Sequence, residues 1–235
     1  MIESVVILCG GLGTRLAEET KVIPKPMVKI GKKPILCHII DYYKFFGVKN
    51  FYLLTGYKSK FISDYFSKGY KKLNIKTIYT GKNSQTGGRL LRVQKFLKSE
   101  DNFYLTYGDG LSNVNLRKLY NLHVKSNFFA TVTAVRPPLR FGELNLKKNV
   151  VKNFYEKTSA KESWISGGFF IFNYKIFDYL NNDATILEQK PINSLINLRK
   201  LGAYKHNGFW QCMDTLREKI YLNKIWYKGK APWKK

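Results

Sequence analysis

Several features that would announce a function are missing or scarce. The three cysteines, Cys9, Cys37 and Cys212, are widely spaced and follow neither a metal-ligand nor a disulfide pattern, so a reduced, cytoplasmic setting is expected. No apolar run approaches the roughly 20 residues that span a bilayer. The first residues lead into a strand without the basic-then-apolar order of a signal peptide. Only three histidines occur, His38, His123 and His206. They fall on unrelated elements, and no Gly-x-Ser-x-Gly elbow is present, which argues against a nucleophilic hydrolase. Despite a glycine-rich turn near its start, the chain has no Gly-Lys-Ser/Thr closing a P-loop and no Gly-x-Gly-x-x-Gly dinucleotide fingerprint. It also has no internal repeat, low-complexity tract or long linker.

Acidic residues are few as well. Asp and Glu total 16 against 41 Lys and Arg, a formal net charge of +25. Such a balance raises nucleic-acid binding as a possibility. The excess is mostly lysine, however, spread along the whole chain, with no arginine-rich stripe and no nucleic-acid motif. A general attraction for anionic substrates is the expectation, and specific nucleic-acid binding is not. The length of 235 residues and 44% hydrophobic content suit one large α/β domain with an ample core.

What is present gathers around Val5–Met27. The apolar run Val5–Cys9 reads as a buried strand and breaks into Gly10-Gly11-Leu12-Gly13-Thr14-Arg15. Glycines let the backbone turn tightly and bring bare N–H groups against a phosphate. Arg15 adds a fork of donors that fits phosphate oxygens. Lys25 lies between Pro24 and Pro26, which hold its backbone stiff and extended. A glycine turn of this kind also serves for plain chain reversal, and a lone lysine for a solvated loop. Their coincidence points to a nucleoside triphosphate.

Beyond this stretch strands and helices alternate. Pro34–Phe46 has helical apolar spacing and ends at Gly47, Asn50–Leu54 reads as a strand, Lys58–Phe66 as a helix and Asn74–Tyr79 as a strand. The alternation predicts a mostly parallel sheet covered on both faces, with ligands at the carboxyl ends of its strands. The loop Thr80–Arg89 offers Ser84, Thr86, Gly87, Gly88 and Arg89 before a helix. It is either a base or phosphate contact or a helix start capped by Thr86. Phe103–Tyr107 reads as a strand ending in Gly108-Asp109-Gly110, where Asp109 is either a magnesium-binding carboxylate or an Asx turn. Farther on, helices are expected near Val114–Ser126, Tyr174–Leu180, Pro191–Lys200 and Thr215–Tyr227. Strands are expected at Phe129–Val135, Val151–Glu156, Trp164–Phe172 and Phe209–Met213. Asp214 follows its strand as Asp109 does, so the two could share one divalent ion.

The segments GGLGTRLAEET with PKPM, TGGRL, YGDG, RFG, GGFF, NDATILEQ, FWQCMDTLRE and KGKAPWK resemble the sugar-1-phosphate nucleotidylyltransferases. The likeness runs nearly end to end and is greatest to the glucose-1-phosphate cytidylyltransferases. It implies a Rossmann-like nucleotidyltransferase fold over residues 1–235, with a nucleotide-binding half to about residue 135 and a sugar-binding half beyond. It also implies the reaction of CTP with α-D-glucose 1-phosphate to give CDP-glucose and pyrophosphate, for surface polysaccharide. By the same resemblance Leu8, Cys9, Gly10, Gly11, Leu12, Gly13, Thr14 and Arg15 would wrap the nucleotide, with Ser84, Thr86, Gly88, Arg89 and Gly108. Arg15 would hold the triphosphate, Lys25 would bridge the reacting phosphates, and Asp109 with Asp214 would hold Mg2+. Gly142, Glu156, Lys157 and Gly168 would contact the sugar phosphate. Homo-oligomers are expected of the family, although the segment from Phe66 to Thr80 is shorter than that branch leads one to expect. Ser166 and Thr158 stand where the branch has asparagine and proline, which keeps another phosphorylated acceptor, or another base, as an alternative. A catalytically inactive relative is a further alternative, although Arg15, Lys25, Asp109 and Asp214 are all in place.

Overall fold

A computed structural model describes residues 1–69, 73–137, 143–155 and 163–235. Seven strands form its main sheet: β1 (Ser4–Cys9), β2 (Asn50–Thr55), β3 (Asn74–Tyr79), β4 (Asn102–Tyr107), β5 (Ala130–Val135), β6 (Ile165–Asn173) and β7 (Leu201–His206). They lie in the order β7-β5-β6-β4-β1-β2-β3. All neighbours are parallel except β6, which runs antiparallel to both β4 and β5. The fold is therefore α/β with a mixed, mostly parallel sheet flanked by helices.

The longer α-helices among the described residues are α1 (Ile35–Phe45), α2 (Ser59–Gly69), α3 (Thr86–Leu91), α4 (Leu116–Ser126), α5 (Lys190–Asn197) and α6 (Leu216–Tyr227). Because side chains alternate across a strand, β1 feeds two cores. Val5, Ile7 and Cys9 pack with Ile35, Ile39 and Tyr43 of α1 and with Ile62, Leu119, Leu222 and Trp233. Val6 and Leu8 pack on the other face with Leu90, Leu97, Phe103, Phe172 and Leu195. A sheet covered on both sides needs apolar residues at every position, and β1 is buried throughout. Its Val, Ile and Leu side chains each contribute about 1.5–3 kcal/mol by leaving water, and Ser4 is satisfied by donating to Glu100.

Local chemistry sets the element ends. α1 stops where Gly47 takes φ +90° and its N–H reaches Lys44 O at 2.9 Å, a left-handed exit that favours glycine. The expected helix Tyr174–Leu180 is a 3-10 helix, Tyr174–Tyr179. The expected strand Phe209–Met213 is shorter, Trp210–Cys212, and lies outside the main sheet. It pairs antiparallel with Gly110–Ser112, a contact between segments about a hundred residues apart that brings two parts of the site together. Residues 148–149 join the antiparallel pair Glu143–Lys147 and Val150–Tyr155, where a strand over Val151–Glu156 was expected. Helix α3 begins one residue earlier than a Thr86 cap requires: Gln85 is its N-cap and makes no side-chain cap.

Candidate active site

The chain leaves β1 at the carboxyl edge of the sheet, where Gly13 takes φ +68°. A cleft of about 640 Å3 opens there, lined by Leu8 through Arg15, Lys25, Pro26, Lys82 through Thr86, Arg89 and Tyr107 through Asp109. A second cavity of about 220 Å3 is lined by Thr106, Ser166, Gly167, Gly168, Trp210, Cys212 and Asp214. Arg15, Tyr107 and Asp109 line both.

Where the two meet lies a cluster of four charges. Lys25 Nζ donates to Asp109 Oδ2 at 2.5 Å and to Asp214 Oδ1, and Arg15 Nη1 donates to Asp214 Oδ2 at 2.5 Å. The Lys25 and Asp214 side chains are each 11% exposed, whereas that of Arg15 is 69% exposed, so Arg15 reaches over the mouth while Lys25 forms the floor. Burial alone would lower the Lys25 pKa, but Asp109 and Asp214 outweigh it and hold that pKa above the ordinary lysine value. Lys25 is thus a fixed cation at neutral pH.

The two aspartates converge because Trp210–Cys212 pairs with Gly110–Ser112. Cys212 pairs with Gly110, and Met213 N–H reaches Asp109 O at 2.9 Å. Glu218 then fixes the backbone behind Asp214. Its Oε2 accepts from Asp214 N at 2.6 Å and Thr215 N at 2.9 Å, while Thr215 caps Glu218 N in return. Together these bonds form a capping box, a Thr-x-x-Glu signature that the sequence reading did not single out.

Arg89 is buried, and its guanidinium donates to the carbonyls of Gly10, Thr55, Gly81 and Lys82 and to the hydroxyl of Thr80. It ties the β1, β2 and β3 exits into one wall of the cleft. Ser84 Oγ donates back to Thr80 O. Gly88 is not among the residues that line the cleft. A Cβ there would meet the Asp183 backbone at 2.5 Å, and Gly87 N–H reaches Thr185 O at 2.9 Å. The paired glycines pack TGGRL on NDAT, backbone against backbone.

Of the other expected residues, Leu8, Cys9, Gly10, Gly11, Leu12, Gly13, Thr14, Ser84, Thr86 and Gly108 line the cleft, and Gly168 lines the second cavity. Gly142, Glu156, Lys157 and Thr158 lie outside the described residues. The sequence reading missed Tyr107 and Trp210 as cavity walls, although both stand inside motifs it singled out, YGDG and FWQCMDT. Burial pushes the Cys212 thiol up to about 12, with Asp214, Glu218 and Asp109 adding to it, and burial raises Cys9 further. Both thiols are protonated and unsuited to attack.

Comparison with known proteins agrees with this architecture. The nucleotidyl transferase family matches residues 4–211. Glucose-1-phosphate cytidylyltransferase of Salmonella typhimurium is 43% identical, over 97% of this chain and 98% of its own. D-glycero-alpha-D-manno-heptose 1-phosphate guanylyltransferase of Campylobacter jejuni is 34% identical over 84% and 87%. In fold, a UDP-glucose pyrophosphorylase solved with UDP-glucose superposes with a TM-score of 0.76, at 18% identity over 97% of this chain and all of that one. The chain belongs to the nucleotidyl transferase family, in the group of the glucose-1-phosphate cytidylyltransferases.

Proposed function

We propose that this chain transfers the cytidylyl group of CTP to α-D-glucose 1-phosphate, releasing pyrophosphate and forming CDP-glucose for surface polysaccharide. One observation carries the reading beside the family likeness. Two cavities, one of nucleotide size, meet at Arg15 and Asp109, beside Lys25 and Asp214. In such an arrangement the sugar phosphate is itself the nucleophile, so no serine or cysteine is needed. Its oxygen attacks the α-phosphorus in line as the bond to the leaving pyrophosphate breaks.

Two anions must be brought together, and charge builds on the pentacoordinate centre. Lys25, Arg15 and the backbone N–H groups of Gly10–Thr14 supply positioning and fixed positive potential against that charge. Asp109 and Asp214 already converge on one cation, Lys25 Nζ. Two carboxylates suit Mg2+, which takes one or two from a protein and leaves its other positions to water and phosphates. When bound there, the ion supplies Lewis-acid charge to phosphate oxygens.

The reading treats residues 1–235 as one nucleotidyltransferase domain, because a single sheet runs through both halves, and it includes self-association of identical chains. Ser166, on the wall of the second cavity, favours a second reading in which the acceptor is another sugar 1-phosphate. A pyrophosphate-release assay crossing CTP, UTP, dTTP and GTP with several sugar 1-phosphates, with and without Mg2+, separates them. Release with CTP and glucose 1-phosphate above all other pairs supports the first reading. Release only with another sugar supports the second, release only with another nucleotide overturns the base, and none with any pair overturns nucleotidyl transfer.

A further inference from the structure

Tyr107 is the ring between the two cavities, and three contacts hold it there. Its hydroxyl donates to Glu188 Oε1. Its Cδ2–Cε2 edge meets Gly168, where a Cβ would come within 2.4 Å of the ring; Gly168 sits at φ +73° beside the irregularity in the β6 pairing with β5. Phe170 packs edge-on against it, with ring centroids 6.3 Å apart. The other oxygen of the same carboxylate, Glu188 Oε2, accepts from Thr86 Oγ1 at 2.6 Å. Thr86 lines the nucleotide cleft and accepts in turn from Leu187 N at 2.9 Å. One carboxylate therefore joins the loop that walls the nucleotide to the ring that walls the acceptor.

We propose that Glu188 is a positioning residue: through Thr86 and Tyr107 it fixes the partition between nucleotide and acceptor, and so sets where the acceptor phosphate rests against the nucleotide. The proposal rests on the nucleotidyl-transfer reading above. Hydrogen bonds to a charged acceptor are stronger than neutral ones, and a ring held at one end by van der Waals contact alone swings toward whichever cavity is empty. Freed of its hydroxyl tether, the ring intrudes on the smaller cavity. Acceptor binding then suffers more than nucleotide binding. A role in mere folding would weaken both together, or neither.

The test uses Tyr107→Phe, Glu188→Ala, Glu188→Gln and the double variant Tyr107→Phe/Glu188→Ala in the full chain, with thermal melting to confirm the fold. Glucose 1-phosphate is titrated calorimetrically into protein saturated with α,β-methylene-CTP, which reads acceptor binding without turnover. Tyr107→Phe is expected to weaken acceptor binding about tenfold, the loss of one hydrogen bond to a charged group, and to change nucleotide binding by less than about twofold. Glu188→Ala is expected to weaken both, and Glu188→Gln, which keeps one acceptor oxygen, to recover part of each. The double variant is expected to bind acceptor no worse than Glu188→Ala, because the hydroxyl acts through the carboxylate. Unchanged acceptor binding in Tyr107→Phe, or additive losses in the double variant, overturns the positioning role while leaving the reaction intact. If the native protein binds neither ligand, the reading of the site falls and takes the proposal with it.

Discussion

Gly88→Ala is a severe test of how the cleft wall is held. The added Cβ would lie 2.5 Å from both Cα and O of Asp183 and 2.7 Å from its carbonyl carbon. These are backbone atoms, so α3 or the 182–185 segment must move by about an ångström to reach ordinary contact. Overpacking of this kind costs about 1–3 kcal/mol, and replacing glycine by alanine inside a helix returns about 0.5–1 kcal/mol. Against rigid backbone the cost falls in the upper part of that range, about 2–3 kcal/mol, so the net loss is about 1–2.5 kcal/mol, which lowers Tm by about 2–10 °C in a chain of this size. The movement also strains the bonds anchoring the loop, Gln85 N–H to Asp183 O at 2.8 Å and Arg92 to Asp183 at 2.5 Å. Because that loop carries Ser84 and Thr86 into the cleft, KM for CTP is expected to rise about tenfold with a smaller change in kcat. Gly69→Ala is the control. It lies at the end of α2, where an added Cβ meets nothing within 4 Å among the described residues, and it is expected to be neutral or slightly stabilising. Calorimetry and steady-state kinetics on both variants decide the matter. A Gly88→Ala protein as stable as Gly69→Ala, with unchanged KM, would refute the packing argument.

Three other outcomes follow from the same geometry. Lys25→Ala is expected to lower kcat by 100-fold or more, on the order of a lost electrostatic contact to the transition state, with a smaller rise in KM for CTP; near-normal turnover would remove Lys25 from the chemistry. Trp233 is 2% exposed and donates through Nε1 to His38 Nδ1 at 3.3 Å, so Trp233→Ala is expected to cost about 3–5 kcal/mol, read by urea unfolding. Burial lowers the pKa of both His38 and His123 from 6.5 to about 4. The unfolded chain therefore binds more protons between those values, and stability falls as pH falls from 6.5, by about 1.4 kcal/mol per pH unit for each histidine; a flat profile between pH 6.5 and 5 would contradict their burial as neutral rings.

How much of this was legible in the sequence depended on whether the signal was local. The β1–glycine loop could be read from Val5–Arg15 alone, because an apolar run and a turn carry their own geometry. His38, one of the three scattered histidines, is buried inside α1. Its Nε2 faces Ile30 O at 2.8 Å and it sits edge-on to Trp226, locking the C-terminal segment onto α1. The strand before Asp214 was visible too, but its partner at Gly110–Ser112 was not, since pairing between distant segments leaves no mark on either. Gly87 and Gly88 show the converse. Glycine announces that something approaches closely, and the sequence does not say whether that is a phosphate or, as here, the chain's own backbone at Asp183–Thr185. Arg89 announced charge, and its burial among carbonyls follows only from how three strand exits converge.

The central claim is that the acceptor phosphate attacks the nucleotide directly, with no enzyme-bound intermediate. It is tested most directly by the configuration at the α-phosphorus when one diastereomer of α-thio-CTP reacts with glucose 1-phosphate. A single in-line displacement at this site predicts CDP-glucose analogue with that centre inverted. Retention would require two displacements through a covalent nucleotidyl-enzyme and would contradict the account.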